Sequence, residues 1–315
     1  MEYRKPSVRM EAVRVILGSA FDSPTSELSV VDDGKIAQTY GFKHAGEDYF
    51  IQFNFPNMSQ VLANELFFSE RFRDCRVPVR RIVGHGSHDG LFYCISKKAE
   101  GEPFHLLDAE DQVRALRSVC DVMHRISRVS VDDTTGYGWL DGDCNGSFSS
   151  WAEHLLGIMN EDEDDFFGHW HELFRDSFLE KERFERYYAE MEGLIAFVPE
   201  TRRLVHGGFG YGNVLVMDGA VTAVIDWQDA RYGDPVFDLA AALFWRPKDL
   251  ANRFLRGFRE YAEASACPED DLEQRIRCYE YYDGLDAMRF FAKQNDRDAY
   301  EKVVAVMETL VSCSP

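Results

Sequence analysis

His206, Asn213 seven residues on, and Asp226 thirteen further are the residues of this chain best spaced to do chemistry. An amide carbonyl and a carboxylate are hard oxygen donors of the kind Mg²⁺ takes. In the pattern H-R-D-x-x-x-x-N, the Asp accepts the proton of an attacking hydroxyl and the Asn holds a metal ion at nucleotide phosphates. The run His206-Gly207-Gly208-Phe209-Gly210-Tyr211-Gly212-Asn213 keeps those intervals but sets Gly208 where the carboxylate belongs. Phosphoryl transfer is the chemistry this spacing supports, and the proton acceptor is the part it lacks. Asn213 alone reads as a turn residue and Asp226 alone as a helix cap; only their joint interval with His206 points to a metal pair. His206 reads as a support packed beneath the loop rather than as a base.

These side chains need a hairpin. Leu215 and Val216 read as one short strand, Met217-Asp218-Gly219 as a turn, and Val221 to Ile225 as the return, which sets Asn213 and Asp226 side by side. Asp234 and Asp238 then cap and anchor the following helix, and Asp238 can also brace the loop backbone. Upstream, strands are expected at 27–31, 36–42, 49–54 and 91–96, with a turn at Asp32-Asp33-Gly34 and a helix over 59–72. With Arg81 to Gly84 leading outward before the last of these, this is an α+β arrangement of five strands around one helix. Beyond Gly101 the chain turns helical. Asp108 is placed to cap a helix with Val113, Leu116, Cys120, Met123 and Ile126 on its apolar stripe. A loop over 136–150 follows, then helical segments at 151–159, 166–197, 236–265 and 270–312. The boundary is expected near Glu100-Gly101, giving a small mostly-β unit over 1–100 and a larger helical unit over 101–315.

The nucleotide cradle is thinner. Where the third strand should carry a Lys that touches phosphates and pairs with a helix Glu, Gln52 stands. Glu65, or else Glu70, is the acid on the helix, and Lys43 is the nearest basic side chain that could substitute.

The chain carries a net charge of −20, which repels nucleic-acid backbones and either attracts cations or simply aids solubility. Seven cysteines without a C-x-x-C pair read as reduced thiols of a cytoplasmic protein, and no apolar run is long enough to span a bilayer. No membrane or nucleic-acid partner is expected, and the chain is expected to act as a monomer. A hydrolase reading of His206-Gly207-Gly208 as an oxyanion segment fails for want of a G-x-S-x-G elbow. The spacing of glycines 208, 210 and 212 is not that of a dinucleotide fingerprint.

Leu204 to Leu215, Ile225-Asp226-Trp227, Phe244-Trp245-Arg246-Pro247, Tyr93 to Ser96 with Ala99 and Gly101, and Gly284-Leu285-Asp286 together resemble the aminoglycoside phosphotransferase family. The resemblance runs through nearly the whole chain. It implies a two-lobed, protein-kinase-like fold and an antibiotic-resistance kinase that uses ATP or GTP with Mg²⁺ on Asn213 and Asp226. The nucleotide would lie at the hinge of Ser96 and Ala99, near Gln52 and Glu65. A cationic aminoglycoside or aminocyclitol acceptor would lie against Glu280, Asp283 and Asp286. The family has Asp where this chain has Gly208, and a basic residue at Gln52. Three explanations compete: an otherwise active enzyme impaired at one position, a non-catalytic nucleotide-binding pseudokinase, or an active member with a displaced base. With no carboxylate between 206 and 213, the last is the least favoured.

Overall fold

The computed structural model describes all residues except 1–4, 32–36, 57–59, 162–166, 210–211, 245–247, 264–269 and 313–315. Strands β1 (Ser26–Val31), β2 (Gln38–His44), β3 (Glu47–Asn54), β4 (Ile82–His88) and β5 (Leu91–Lys97) form one antiparallel sheet in the order β1-β2-β3-β5-β4. The turn expected at Asp32-Asp33-Gly34 lies outside the described residues. Two helices accompany this sheet, not one. Helix α1 (Met10–Ala20) buries Val13, Ile16 and Leu17 against Tyr40, Phe42, Ile51, Phe53 and Ile95. Along β3, side chains alternate between faces. Ile51 and Phe53 join the α1 core, which turns Gln52 to the opposite face. Helix α2 (Gln60–Asp74) belongs to the other core through Phe68 and Phe72.

After β5 the chain runs through Gly101, whose φ of +102 and whose closeness to the Val216 carbonyl (2.7 Å from a notional Cβ) exclude a side chain. The two-residue strand β6 (Glu102–Pro103) then joins a second sheet. Helix α3 (Ala109–Ser127) follows, with Asp108 accepting from the Asp111 N–H at 2.9 Å as the expected cap. Its buried face carries Ala115, Leu116, Val119, Cys120, Met123 and Ile126, whereas Val113, expected on that stripe, is 39% exposed. The stripe begins a turn later than the spacing implied. The expected loop over 136–150 holds a hairpin, β7 (Tyr137–Leu140) and β8 (Gly146–Phe148).

Helices α4 (Trp151–Leu156), α5 (Leu173–Asp176) and α6 (Lys181–Leu194) precede strand β9 (Arg203–Val205), which leads into the His206 loop. Strands β10 (Val214–Met217) and β11 (Ala220–Val224) make the expected hairpin; Asp218 and Gly219 both have positive φ, as a tight two-residue turn demands. Leu215 and Val216 also pair with β6, so the sheet order is β11-β10-β6. Strand β12 (Arg231–Gly233) completes a four-stranded sheet, β8-β7-β12-β9. The remaining helices are α7 (Val236–Phe244), α8 (Lys248–Glu263), α9 (Leu272–Lys293) and α10 (Arg297–Ser312). Helix α7 is buried along its whole length, and α9 packs against α6, α7 and α10. At its root Asp234 takes a bidentate Arg275 at 2.7 and 2.9 Å and the Tyr279 hydroxyl at 2.7 Å. That buried ion pair fixes α9 relative to α7. Among the described residues, no helix is long and apolar enough to cross a membrane.

Candidate active site

The His206 loop is held from below. His206 is fully buried; its Nε2 lies 3.0 Å from the Ile225 carbonyl, and the Gly208 N–H donates to its Nδ1 at 3.2 Å. With Nδ1 accepting, the proton sits on Nε2, and burial pulls the pKa down to about 4. A neutral, saturated imidazole is a strut and not a base, as the sequence implied. Asp238, from α7, accepts from the His206 and Gly207 N–H groups at 2.8 and 2.9 Å, so it braces the loop backbone directly. Gly207 adopts φ +84, and a Cβ there would lie 2.1 Å from the Asp229 carbonyl oxygen. The turn that presents position 208 therefore requires glycine at 207 and brings residue 229 against the loop.

Asn213 and Asp226 flank the open end of the β10–β11 hairpin. The Ile225 N–H donates to the Asn213 carbonyl at 2.9 Å, which continues the ladder past Val214 and Val224. The Asn213 side-chain nitrogen donates to the Gly208 carbonyl at 3.0 Å, so its Oδ1 is the atom left for a ligand. Asp226 has φ +65, a left-handed conformation that a β-to-turn junction rarely imposes on a residue with a side chain. Burial pushes its carboxyl up to about 7; neighbouring Asp229 and Glu65 add to the rise and Arg80 opposes it.

Gly208 lies outside the left-handed region, and its missing side chain leaves a definite space. A Cβ there would lie 3.3 Å from Asn213 Nδ2, 3.7 Å from Asp229 Oδ2 and 3.9 Å from His206 Nδ1. Asp229 is thus a carboxylate at the edge of the place the loop leaves empty. It lies sixteen residues beyond Asn213, outside the 206–213 interval in which the sequence places a carboxylate. Burial raises its pKa to about 6 against the pull of Arg231, and Asp286 adds to the rise. Arg231 is itself buried, stacked 3.7 Å from the Trp139 ring centroid, with its Nε donating to the Asp229 carbonyl at 3.0 Å.

The three acids expected at the acceptor lie on α9. Asp283 is 8% exposed, with Oδ2 buried and unpartnered among the described residues; burial raises its pKa well above the carboxylate range, with Asp286, Asp238 and Glu280 adding to the rise. Asp286 accepts from Arg289 at 2.6 Å and influences both Asp229 and Asp283. Burial raises Glu280 to about 7. Arg231 Nη1 donates to the Tyr282 hydroxyl at 3.4 Å, which sets α9 against the segment that carries Asp229.

At the sheet, Glu65 is buried on α2 as expected, whereas Glu70 is exposed. The positive charge beside it comes from an unexpected residue. Arg80 Nη2 and Nε donate to Glu65 Oε2 at 2.8 and 3.1 Å, and its Nη1 donates to the Gln52 amide oxygen. Lys43, the substitute the sequence offered, instead pairs with the exposed Glu27 at 2.9 Å. Ser96 is buried within β5 and Ala99 half-buried in the segment beyond it, so a ligand at this edge would meet backbone more than side chain.

A phosphotransferase family model matches residues 27–291, and the chain belongs to that family, described as the phosphotransferase enzyme family. Hygromycin-B 4-O-kinase of Escherichia coli is 26% identical over 290 residues, covering 90% of this chain and 80% of the relative. A thermostable mutant of aminoglycoside phosphotransferase APH(4)-Ia, in ternary complex with AMP-PNP and hygromycin B, superposes with a TM-score of 0.79 at 25% identity, covering 96% and 98% of the two chains. A putative fructosamine-3-kinase from Haemophilus somnus shares the fold at a TM-score of 0.66 and 14% identity over 95% and 96%. The α+β, kinase-like architecture expected from the sequence is therefore the fold of this protein.

Proposed function

We propose that this chain transfers the γ-phosphoryl group of ATP or GTP to a hydroxyl of an aminoglycoside or aminocyclitol such as hygromycin B. Two lobes, 1–100 and 101–315, would enclose the nucleotide near Ser96 and Ala99, and the protein would act as a monomer. The carrying observation is the hairpin end at which the Asn213 amide is turned, by its bond to the Gly208 carbonyl, to offer its oxygen beside the Asp226 segment.

The residues present fit Mg²⁺. Asp226 is disfavoured as a lone anion, and the buried Glu65 Oε1 close to it is unanswered among the described residues. No three His, Cys, Asp or Glu side chains converge among the described residues, which suits an ion whose shell nucleotide oxygens and water complete. Bound there, Mg²⁺ would neutralise charge on the transferring phosphate. Asn213 and Asp226 would hold it, Asp238 and His206 would keep the loop rigid, and Asp283, Asp286 and Glu280 would receive the acceptor's ammonium groups. Those acids suit another small hydroxylated amine equally well.

Gly208 provides no carboxylate for the acceptor proton, so transfer is slower than in a chain with Asp there. Phosphoryl transfer depends chiefly on positioning and electrostatics, so activity persists at a reduced rate. The test incubates the protein with Mg²⁺, ATP or GTP and a panel of aminoglycosides, measuring nucleoside diphosphate release and acceptor mass. Phosphorylated acceptor supports the reading; no phosphorylated acceptor with any member of the panel refutes it. Gly208 also favours a second reading, a pseudokinase, for which calorimetry would show Mg²⁺–nucleotide binding with no turnover.

A further inference from the structure

Gln52 leaves the nucleotide edge of the sheet without its expected charge, yet a guanidinium occupies the place beside it. Arg80 lies in the link between α2 and β4, outside any regular element. The Val224 N–H donates to the Pro78 carbonyl at 2.8 Å, and Val79 forms a parallel bridge with Val224. The link therefore runs alongside β11 in the same direction, and Arg80 arrives as β11 arrives at Asp226. Its guanidinium is then fixed from two sides, by Glu65 of α2 and Gln52 of β3, with side-chain exposures of 15% for Arg80 and 5% for Glu65. Asp226 lies close enough to favour the charged form.

Arg carries five N–H donors in a fixed fork. Nε, one N–H of Nη2 and one of Nη1 are used on Glu65 and Gln52, which, among the described residues, leaves one N–H on each terminal nitrogen. A buried carboxylate on α2, a neutral amide on β3 and an immobilised guanidinium on the link between α2 and β4 reproduce the charge pair that a basic residue at 52 would make with Glu65. Gln52 in this arrangement is a positioning residue: its amide oxygen accepts from Arg80, where a Lys at 52 would repel it.

We propose that Arg80 is the cation that meets the nucleotide phosphates in this chain, taking the part vacated at Gln52. The inference rests on the nucleotide-binding reading above. Removing one charge-assisted contact lowers phosphate affinity about 10- to 100-fold. Calorimetry with Mg²⁺–ATP and, separately, adenosine tests it on the full chain. Arg80→Ala is expected to weaken ATP by that factor and leave adenosine unchanged, a split that general damage to the sheet would not give. Adding Gln52→Arg to Arg80→Ala is expected to recover most of the loss. Because Arg80→Ala strands a buried carboxylate, Arg80→Gln with Glu65→Gln serves as a variant with no lone charge, and is expected to show the same split. Equal ATP affinity in the folded variants and the unaltered chain overturns the role of Arg80 and leaves the transferase reading standing. Failure of the unaltered chain to bind ATP or GTP overturns both.

Discussion

Replacing Gly208 by Asp should raise turnover. The position has room: a Cβ meets Asn213 Nδ2 at 3.3 Å, a contact relieved by a shift of a few tenths of an ångström, and the backbone is not left-handed. The new carboxylate would stand beside Asn213 Nδ2, a donor to it. A general base contributes about 10²–10⁴ in rate, or about 2.7–5.5 kcal/mol of barrier. Against it stands Asp229, whose Oδ2 lies 3.7 Å from that Cβ. At a separation of about 5 Å and an effective dielectric of about 20, two such carboxylates repel by about 3 kcal/mol. That repulsion raises the pKa of the pair, so the gain should grow as pH rises and should be smaller in acid. Gly208→Asn is the control, filling the same space without a base. The assay is steady-state kcat with hygromycin B and Mg²⁺–ATP from pH 6 to 9, with melting curves to confirm folding. If Asp gives no more turnover than Asn at any pH, position 208 does not limit this chain and the argument from the missing carboxylate is refuted.

The other expectations concern the same machinery. Asp229→Asn should lower the remaining turnover of the unaltered chain about tenfold, since Asp229 is the carboxylate at the vacated position; an unchanged kcat would show that the residual rate needs no carboxylate there. Asp226→Asn, or Asn213→Ala, should abolish the rise in melting temperature that Mg²⁺ adds to ATP, read by calorimetric melting; a full Mg²⁺ effect in either variant counts against the metal pair. His206 is held at about 4, below its unfolded value, so the unfolded chain takes up a proton that the folded chain refuses. Its contribution to stability is thus intact above about pH 6.5 and shrinks as pH falls toward 4, and in His206→Gln urea midpoints should depend less on pH across that window. Arg275→Ala leaves Asp234 buried without its partner and should cost about 3–5 kcal/mol in urea denaturation; a loss within about 1 kcal/mol would show that the pair does not anchor α9.

What the sequence disclosed and what it concealed divide along contact range. The β10–β11 hairpin was legible because a positive-φ Asp-Gly turn and two short apolar runs are local signals, and Asn213 and Asp226 follow from its register. Asp238 is the exception to that division: it bonds the loop 31 and 32 residues before it, and was legible only because an acid in the first turn of an otherwise apolar helix needs a partner. Helix α1 was not expected: Val13, Ile16 and Leu17 are its only buried residues, too short an apolar stripe to stand out among the charges of Glu11 and Arg14. The β7–β8 hairpin was hidden by glycines that mark its close approaches rather than a loop, Gly136 and Gly146 lying backbone to backbone.

Arg80 and Asp229 were concealed for a further reason. Arg80 is separated by 28 residues from Gln52, and Asp229 sits beyond the hairpin from Gly208; neither belongs to a motif. Each lies beside a position where the family pattern is broken. A motif reader scores those positions as losses, because a pattern records residue types at fixed intervals. Charge in a cleft has no such constraint: the field at a phosphate or a hydroxyl depends on where a guanidinium or carboxylate ends, not on which strand it started from. The link carrying Arg80 is pinned to β11 by main-chain contacts at Pro78 and Val79 and by Val77 and Val79 at the core, so its route is set without the side chain at 80. Exchanging the charge between 52 and 80 alters the motif while leaving Glu65 its partner. The combined variant Arg80→Ala with Gln52→Arg therefore asks whether the fold or the interval is what holds the nucleotide.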